Sequence, residues 1–321
     1  MKHVAALVLF LMSMATPWSV AAGESRDWAK ALMPAQAALA RGNFNEAYSL
    51  YLQEADWNPL AQFTLGQFHQ NGWGRAKDPA AACRWYERAA QRQIPGAEFF
   101  WGDCLAQGLG QPADIPAAIN WYDKAASHGA VLAWCSAADY YIRGKGVAKD
   151  TAKGLALCTQ AAKGNSPPAM LKLARYYQDG QILAQDLAAA RYWYEQAAQI
   201  HVNEAQYELG LMLVNGEGGA ADAKAGLLWL ETAASEGYAP AYLATAMLYA
   251  QAPREKDTGM LAPEYLAKVY LWTKAAKARS NNSEQRAQAE NLEAQVLAVM
   301  PASWRPALDK QVAEHLSKYA R

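Results

Sequence analysis

The chain has 321 residues, with 30 lysines and arginines against 30 aspartates and glutamates, so its formal charge is zero. Hydrophobic residues make up 52% and charged residues 19%. That balance excludes intrinsic disorder, which needs low hydrophobicity and high net charge, and it argues against a dedicated nucleic-acid binder, which carries a basic excess.

Residues 1–22 read as a secretory signal peptide. Lys2 gives a positive start, and Val4 to Met14 is an apolar run interrupted only by Ser13. Val20-Ala21-Ala22 then places small side chains where a signal peptidase cuts, after Ala22. The run falls short of the roughly 20 residues that span a bilayer, and no later segment is apolar for long enough. No cysteine lies near the cleavage site, so lipid attachment is not expected. The short, alanine-rich signal has a bacterial character and points to the periplasm. Residues 23–60 read as an N-terminal capping pair: a helix over Trp28 to Ala40, a turn at Gly42-Asn43-Phe44, and a second helix. In that second helix Ala47 and Tyr51 match Ala82 and Tyr86 at an offset of 35.

A repeat then governs residues 61–240. Ala61, Ala97, Ala133, Ala169, Ala205 and Ala241 are each 36 apart. With these as position 1, position 12 is Gly72, Gly108, Gly144, Gly180 and Gly216. Position 18 is Asp78, Asp114, Asp150, Asp186 and Asp222, and alanine pairs recur at positions 29 and 30. Positions 1 to 11 read as a helix with apolar residues at 3, 5 and 8, such as Phe63, Leu65 and Phe68. Glycine at 12 can take the left-handed conformation that ends a helix. Aspartate at 18 suits an N-cap, where its carboxylate accepts orphan backbone amides, and Pro79 follows at the first helical position, where proline is favoured. The second helix runs to about position 31. Gly129 and Gly237 stop it in two repeats, and Gln93, Asn165 and His201 hold that place in the others. Small residues at 6, 22, 29 and 30 let backbones approach, and aromatics at 25 and 26 fill the space between helices. Stacked pairs share a continuous core that one pair cannot bury alone, which makes the chain an all-α solenoid of antiparallel helix pairs.

Residues 241–279 form a degenerate sixth repeat. It carries a charged insertion around Pro253 to Gly259, expected as a surface loop. Residues 280–321 read as C-terminal capping helices. Ser283 caps one that runs to about Val299, Pro301 breaks it, and Trp304 and Leu308 anchor a last helix that ends near Tyr319 and covers the sixth repeat.

The pattern A-x-x-x-L-G, G-x-G, D and A-x-x-W-Y-x-x-A-A over Ala61 to Ala90 resembles a Sel1-like repeat, a relative of the tetratricopeptide repeat. The resemblance covers Ala61 to about Ala278. It implies a right-handed superhelix acting as scaffold or adaptor, in bacteria often secreted or periplasmic and binding partner proteins or envelope components.

Four cysteines occupy normally apolar positions. Cys83 and Cys104 sit at similar distances either side of the turn between repeats one and two, and Cys135 and Cys158 straddle the turn inside repeat three. Antiparallel neighbouring helices would place each pair side by side, so disulfides Cys83–Cys104 and Cys135–Cys158 are expected in an oxidising compartment. The alternative is four buried thiols acting as small core hydrophobes.

Catalytic patterns are missing. There is no H-E-x-x-H, no G-x-S-x-G, no S-x-x-K and no C-x-x-C. The histidines that follow the signal fall in separate repeats or the cap; His69 takes a packing place, and His128 and His201 lie near helix ends, where they can cap carbonyls. Neither a metal nor a cofactor is expected. The concave side of such solenoids is lined by first helices, with outward positions 7, 10 and 11. The candidate binding residues are Gln67, Gln70, Asp103, Asp139, Arg143, Arg175 and Gln178. This mixed polar lining suits a protein or peptide of the cell envelope rather than a polyanion. The expected function is a non-enzymatic periplasmic scaffold. One alternative is a carbohydrate or peptidoglycan-fragment binder, or a weak hydrolase, needing exposed aromatics near Phe99-Phe100-Trp101 and a carboxylate pair. Another, which the resemblance implies, is an accessory subunit of a secretion, polysaccharide-export or flagellar-motor assembly.

Overall fold

The protein is described by a computed structural model that covers residues 24–319; the expected signal peptide lies outside the described residues. The described residues form seventeen α-helices. The N-terminal cap comprises α1 (Glu24–Ala31), α2 (Met33–Ala40) and α3 (Phe44–Glu54). Five repeat pairs follow: α4 (Pro59–Asn71) with α5 (Pro79–Ala90), α6 (Pro95–Gln107) with α7 (Ile115–Ser127), and α8 (Leu132–Arg143) with α9 (Thr151–Lys163). The fourth and fifth are α10 (Pro167–Asp179) with α11 (Leu187–Gln199) and α12 (Asn203–Asn215) with α13 (Ala223–Ser235). The C-terminal region holds α14 (Ala239–Ala250), α15 (Pro263–Arg279), α16 (Ser283–Val299) and α17 (Arg305–Lys318). The chain packs as two compact units, one through Ala169 and one from Met170.

The same turn is built in every repeat. The position-12 glycines have φ between 65° and 72°, in the left-handed region that favours glycine. The carboxylates of Asp78, Asp114, Asp150, Asp186 and Asp222 each accept the amide three residues on, at 2.9 Å. The amide of each of these aspartates donates back to the position-9 carbonyl (His69, Leu105, Tyr141, Tyr177 or Leu213), at 2.8–3.0 Å. One aspartate therefore starts the second helix with its side chain and ties it to the end of the first with its main chain.

Helices meet where side chains are smallest. A Cβ on Gly102 would lie 2.8 Å from the Tyr122 ring, and one on Gly226 would lie 2.7 Å from the Gly210 carbonyl. The position-1 alanines are fully buried, and Tyr86, Tyr122 and Tyr194 fill the space between paired helices. Three of the four tryptophans at position 25 are more peripheral: Trp85, Trp121 and Trp229 remain half-buried, while Trp193 is buried.

Both expected disulfides are present. Cys83–Cys104 joins α5 to α6 across the first repeat boundary, with Cα atoms 5.8 Å apart, and Cys135–Cys158 joins α8 to α9 inside the third repeat. No cysteine is left free.

At the N-terminus the expected single helix over Trp28 to Ala40 is two helices, α1 and α2, parted at Leu32. Pro34 explains the break: it lacks an amide proton and sits in the first turn of α2. At the other end, α16 is capped by Asn282 and not by Ser283. The Asn282 Oδ1 accepts the amides of Glu284 and Gln285 at 2.8 and 3.1 Å, which places Ser283 inside the helix. The insertion at 253–259 is an exposed loop, clasped by an isolated bridge between Arg254 and Leu261. As expected, α17 covers the last pair: His315 packs on Tyr242 and Trp272 with ring centroids 5.5 and 5.4 Å apart, and Arg279 donates to the Leu316 carbonyl at 2.6 Å.

Position 33 is left-handed in all five repeats, including Gln93 (φ 59°), Asn165 (62°) and His201 (61°). A side chain there costs about 1 kcal/mol. Gln93→Gly is therefore expected to raise the unfolding free energy by about 1 kcal/mol, and Gly108→Ala to lower it by at least as much; urea denaturation checks both. Replacing Cys83 and Cys104 together by alanine is expected to cost about 3 kcal/mol for a loop of this size, and denatured, unreduced wild-type protein should show no reactive thiol.

Candidate functional site

Position 26 determines how the polar face of the first helices is held. The Tyr86 hydroxyl donates to the Gln70 Oε1, that of Tyr122 donates to the Asp103 Oδ1 at 2.6 Å, and that of Tyr194 donates to the Gln178 Oε1 at 2.7 Å. Each ring is buried between paired helices, and its hydroxyl surfaces at position 7 or 10 of the first helix. Burial pushes all three phenols well above the usual tyrosine range. Repeat three has Cys158 at position 26, and there the bond to Cys135 joins the two helices instead. These tyrosine latches were not anticipated from the sequence, although tyrosine at position 26 in three of the five repeats, opposite varying polar residues, is their trace; the fifth repeat has Leu230 there.

In the first unit, Gln70 and Arg143 are exposed, Asp103 and Asp139 are half-buried, and Gln67 is buried at 4% exposure. Gln67 is thus a correction to the expected surface: position 7 of the first repeat faces the packed interior. In the second unit, Arg175 is exposed and Gln178 half-buried. Of positions 7, 10 and 11, only 11 is exposed in every repeat, as Asn71, Gln107, Arg143, Asp179 and Asn215.

Two further groups went unanticipated. In the second unit Arg175 forms an ion pair with Glu204, one turn before Glu208 on α12. Burial first, and then Glu204, push the Glu208 carboxyl upward, while Arg175 and Gln178 pull it back. The neighbouring Tyr238 hydroxyl is pushed up to about 12, mainly by burial and then by Glu204 and Glu208. In the first unit the Glu98 carboxylate, 1% exposed, meets the His128 Nδ1 at 2.8 Å. His128 therefore pairs with an acid across its own repeat and is no simple carbonyl cap. The signal for the Glu98 pair was a polar residue at position 2, shared by Gln62, Glu98 and Gln206. Of the dense aromatic run, Trp101 is buried, and Phe99 and Phe100 are half-buried. Among the described residues no three histidine, cysteine, aspartate or glutamate side chains group as metal ligands would.

The Sel1 repeat family model matches the chain five times, over residues 59–93, 95–129, 132–166, 167–200 and 203–238. Among solved structures, the chain is similar to a Sel1 repeat protein from Oxalobacter formigenes. The two share 26% identity over 78% of this chain and all of that one, with a TM-score of 0.59. It is also similar to c5321, a protective antigen of uropathogenic Escherichia coli strains displaying an SLR fold. There the identity is 20% over 99% of this chain and 68% of that one, with a TM-score of 0.60. No curated protein matches.

Asp103 makes the candidate face sensitive to pH. Burial pushes its carboxyl above the usual aspartate range, and the Tyr122 bond partly offsets that. The native state thus holds this proton more tightly than the unfolded chain, so the charged carboxylate is a cost at neutral pH that fades as pH falls through the native value. Wild-type protein is expected to gain thermal stability relative to Asp103→Asn as pH is lowered from 7 toward the ordinary aspartate range. A constant difference in Tm would contradict the assignment.

Proposed function

The chain belongs to the Sel1 repeat family, and on that premise we propose that it is a periplasmic scaffold that docks an envelope protein or peptide on the first-helix face of its repeats. The family fold is one typical of protein–protein interaction. Two disulfides suit an oxidising, extracytoplasmic setting, and no described helix is long and apolar enough to cross a membrane.

One observation carries the reading. The recurring residues are engaged within the repeat itself: glycine in the turn, aspartate in the cap, alanine and tyrosine in the core. The residues that change from repeat to repeat, at position 11 and in part at 7 and 10, are the ones the first helices present outward. Repeats of constant geometry that present varying polar residues are suited to reading a protein or peptide partner by shape and hydrogen bonding.

The test uses single substitutions on that row. Arg143→Glu and Arg175→Glu are expected to lose a defined partner from chemically cross-linked envelope extracts. Arg84→Glu, on an exposed second-helix position, should keep it, with all three variants matched for Tm. Equal recovery by all three would remove the first-helix face from the proposal. Periplasmic protein released by osmotic shock is expected to begin at Gly23; recovery only with the cytoplasmic fraction would refute the location.

A further inference from the structure

We infer that the first unit carries a cation-recognising cradle, formed by Phe99, Phe100, Asp103, Tyr122 and Tyr140, that takes an arginine or lysine side chain of the partner. This rests on the docking reading above and adds the chemistry that the partner presents.

Phe99, Phe100 and Asp103 lie within one turn of α6, on neighbouring positions of its surface. The rings run in a file. Phe100 stacks on Tyr86 with centroids 5.0 Å apart and planes at 20°. Phe99 meets Phe100 edge-on at 5.3 Å and Tyr122 at 5.8 Å, and Tyr122 stacks on Tyr140 at 6.3 Å. Tyr86 and Tyr122 close the back of the file, 2% and 1% exposed, while Phe99, Phe100 and Tyr140 are half-buried and still reach solvent. Ring faces carry negative potential and attract cations, most strongly where water is thinned.

Asp103 adds a formal charge to this file. Its Oδ1 accepts the Tyr122 hydroxyl at 2.6 Å, and the side chain is half-buried. Several other shielded carboxylates have basic partners: Glu98 has His128, Glu204 has Arg175, Glu231 has Lys268, and Glu293 has Lys274 and Lys277. Among the described residues Asp103 has none. Burial pushes its carboxyl up with only the tyrosine hydroxyl to offset it, and no basic group contributes. A half-buried carboxylate with no counterion is costly. An incoming guanidinium would supply the missing charge-assisted bonds while it packs against the half-buried rings that reach solvent. An acidic side chain could do neither, and a neutral one of the same shape would lack the charge.

Full-length protein is titrated against fluorescein-labelled Gly-Ala-Arg-Ala-Gly, its citrulline counterpart, which keeps the shape without the charge, and its glutamate counterpart. Fluorescence anisotropy reads the binding. The arginine peptide is expected to bind at least about tenfold more tightly than the citrulline one, with no saturation by the glutamate one. Asp103→Asn should erase the arginine-over-citrulline preference, and Phe100→Leu should weaken both peptides. For wild type alone, the preference should shrink as salt is raised, a measurement that needs no variant to fold. Equal binding of arginine and citrulline peptides, a preference that survives high salt or Asp103→Asn in a folded variant, or saturation by chitotriose with no response to arginine would overturn the cradle. Loss of the partner on Arg143→Glu would still leave the docking reading standing, so the two can fail separately.

Discussion

The architecture depends on one covalently short, hydrogen-bonded turn. In each repeat a left-handed glycine ends the first helix, and six residues later an aspartate begins the second. That aspartate's amide returns to the first helix at a carbonyl nine positions back, while its carboxylate holds the new helix's first turn. The connection thus has a fixed length and a fixed exit direction. Given that, the paired helices always cross at the same register, and the small residues at positions 6 and 22 follow as a consequence. Where both are glycine, as at Gly210 and Gly226, the backbones come so close that no Cβ fits.

Much of this was legible in the chain because the repeat supplies its own comparison. Five aspartates at one phase have five equivalent environments, so a cap is the reading that explains all of them together. Gln93, Asn165 and His201 share a phase with Gly129 and Gly237, and the structure gives all five the same left-handed backbone. The cysteines paired as antiparallel neighbours must. What stayed hidden was whatever occurs once. Pro34 divides a helix whose hydrophobic pattern runs straight through it. Asn282 caps α16 one residue ahead of the serine that looked suitable. Gln67 is polar yet buried, in a helix where every residue from Ala61 to Phe68 is buried. The tyrosine latches and the Glu98–His128 pair depend on side-chain reach across helices, which periodicity along one helix does not report.

The division between recurring and varying residues also organises the functional reading. Recurring side chains are buried or hydrogen-bonded within their own repeat. Around them the first helices present Gln70, Asp103 and Gln178, each already anchored by a tyrosine hydroxyl, beside freely exposed residues at position 11. An anchored acceptor is preorganised: it loses little side-chain entropy when a partner arrives. The disulfides act on the same units, since one crosses the first repeat boundary and the other replaces the tyrosine latch of the third repeat.

Partners are proposed to dock on the first helices and not on the second. Site-specific photo-crosslinking in intact cells tests it directly, with a benzophenone amino acid placed singly at Asn71, Gln107, Arg143, Asp179 and Asn215, and for comparison at Arg84, Asn120, Ala156, Tyr192 and Leu228. A discrete adduct is expected from several first-helix positions and none from the second-helix set. Adducts confined to the second set, or spread evenly over both, would contradict it.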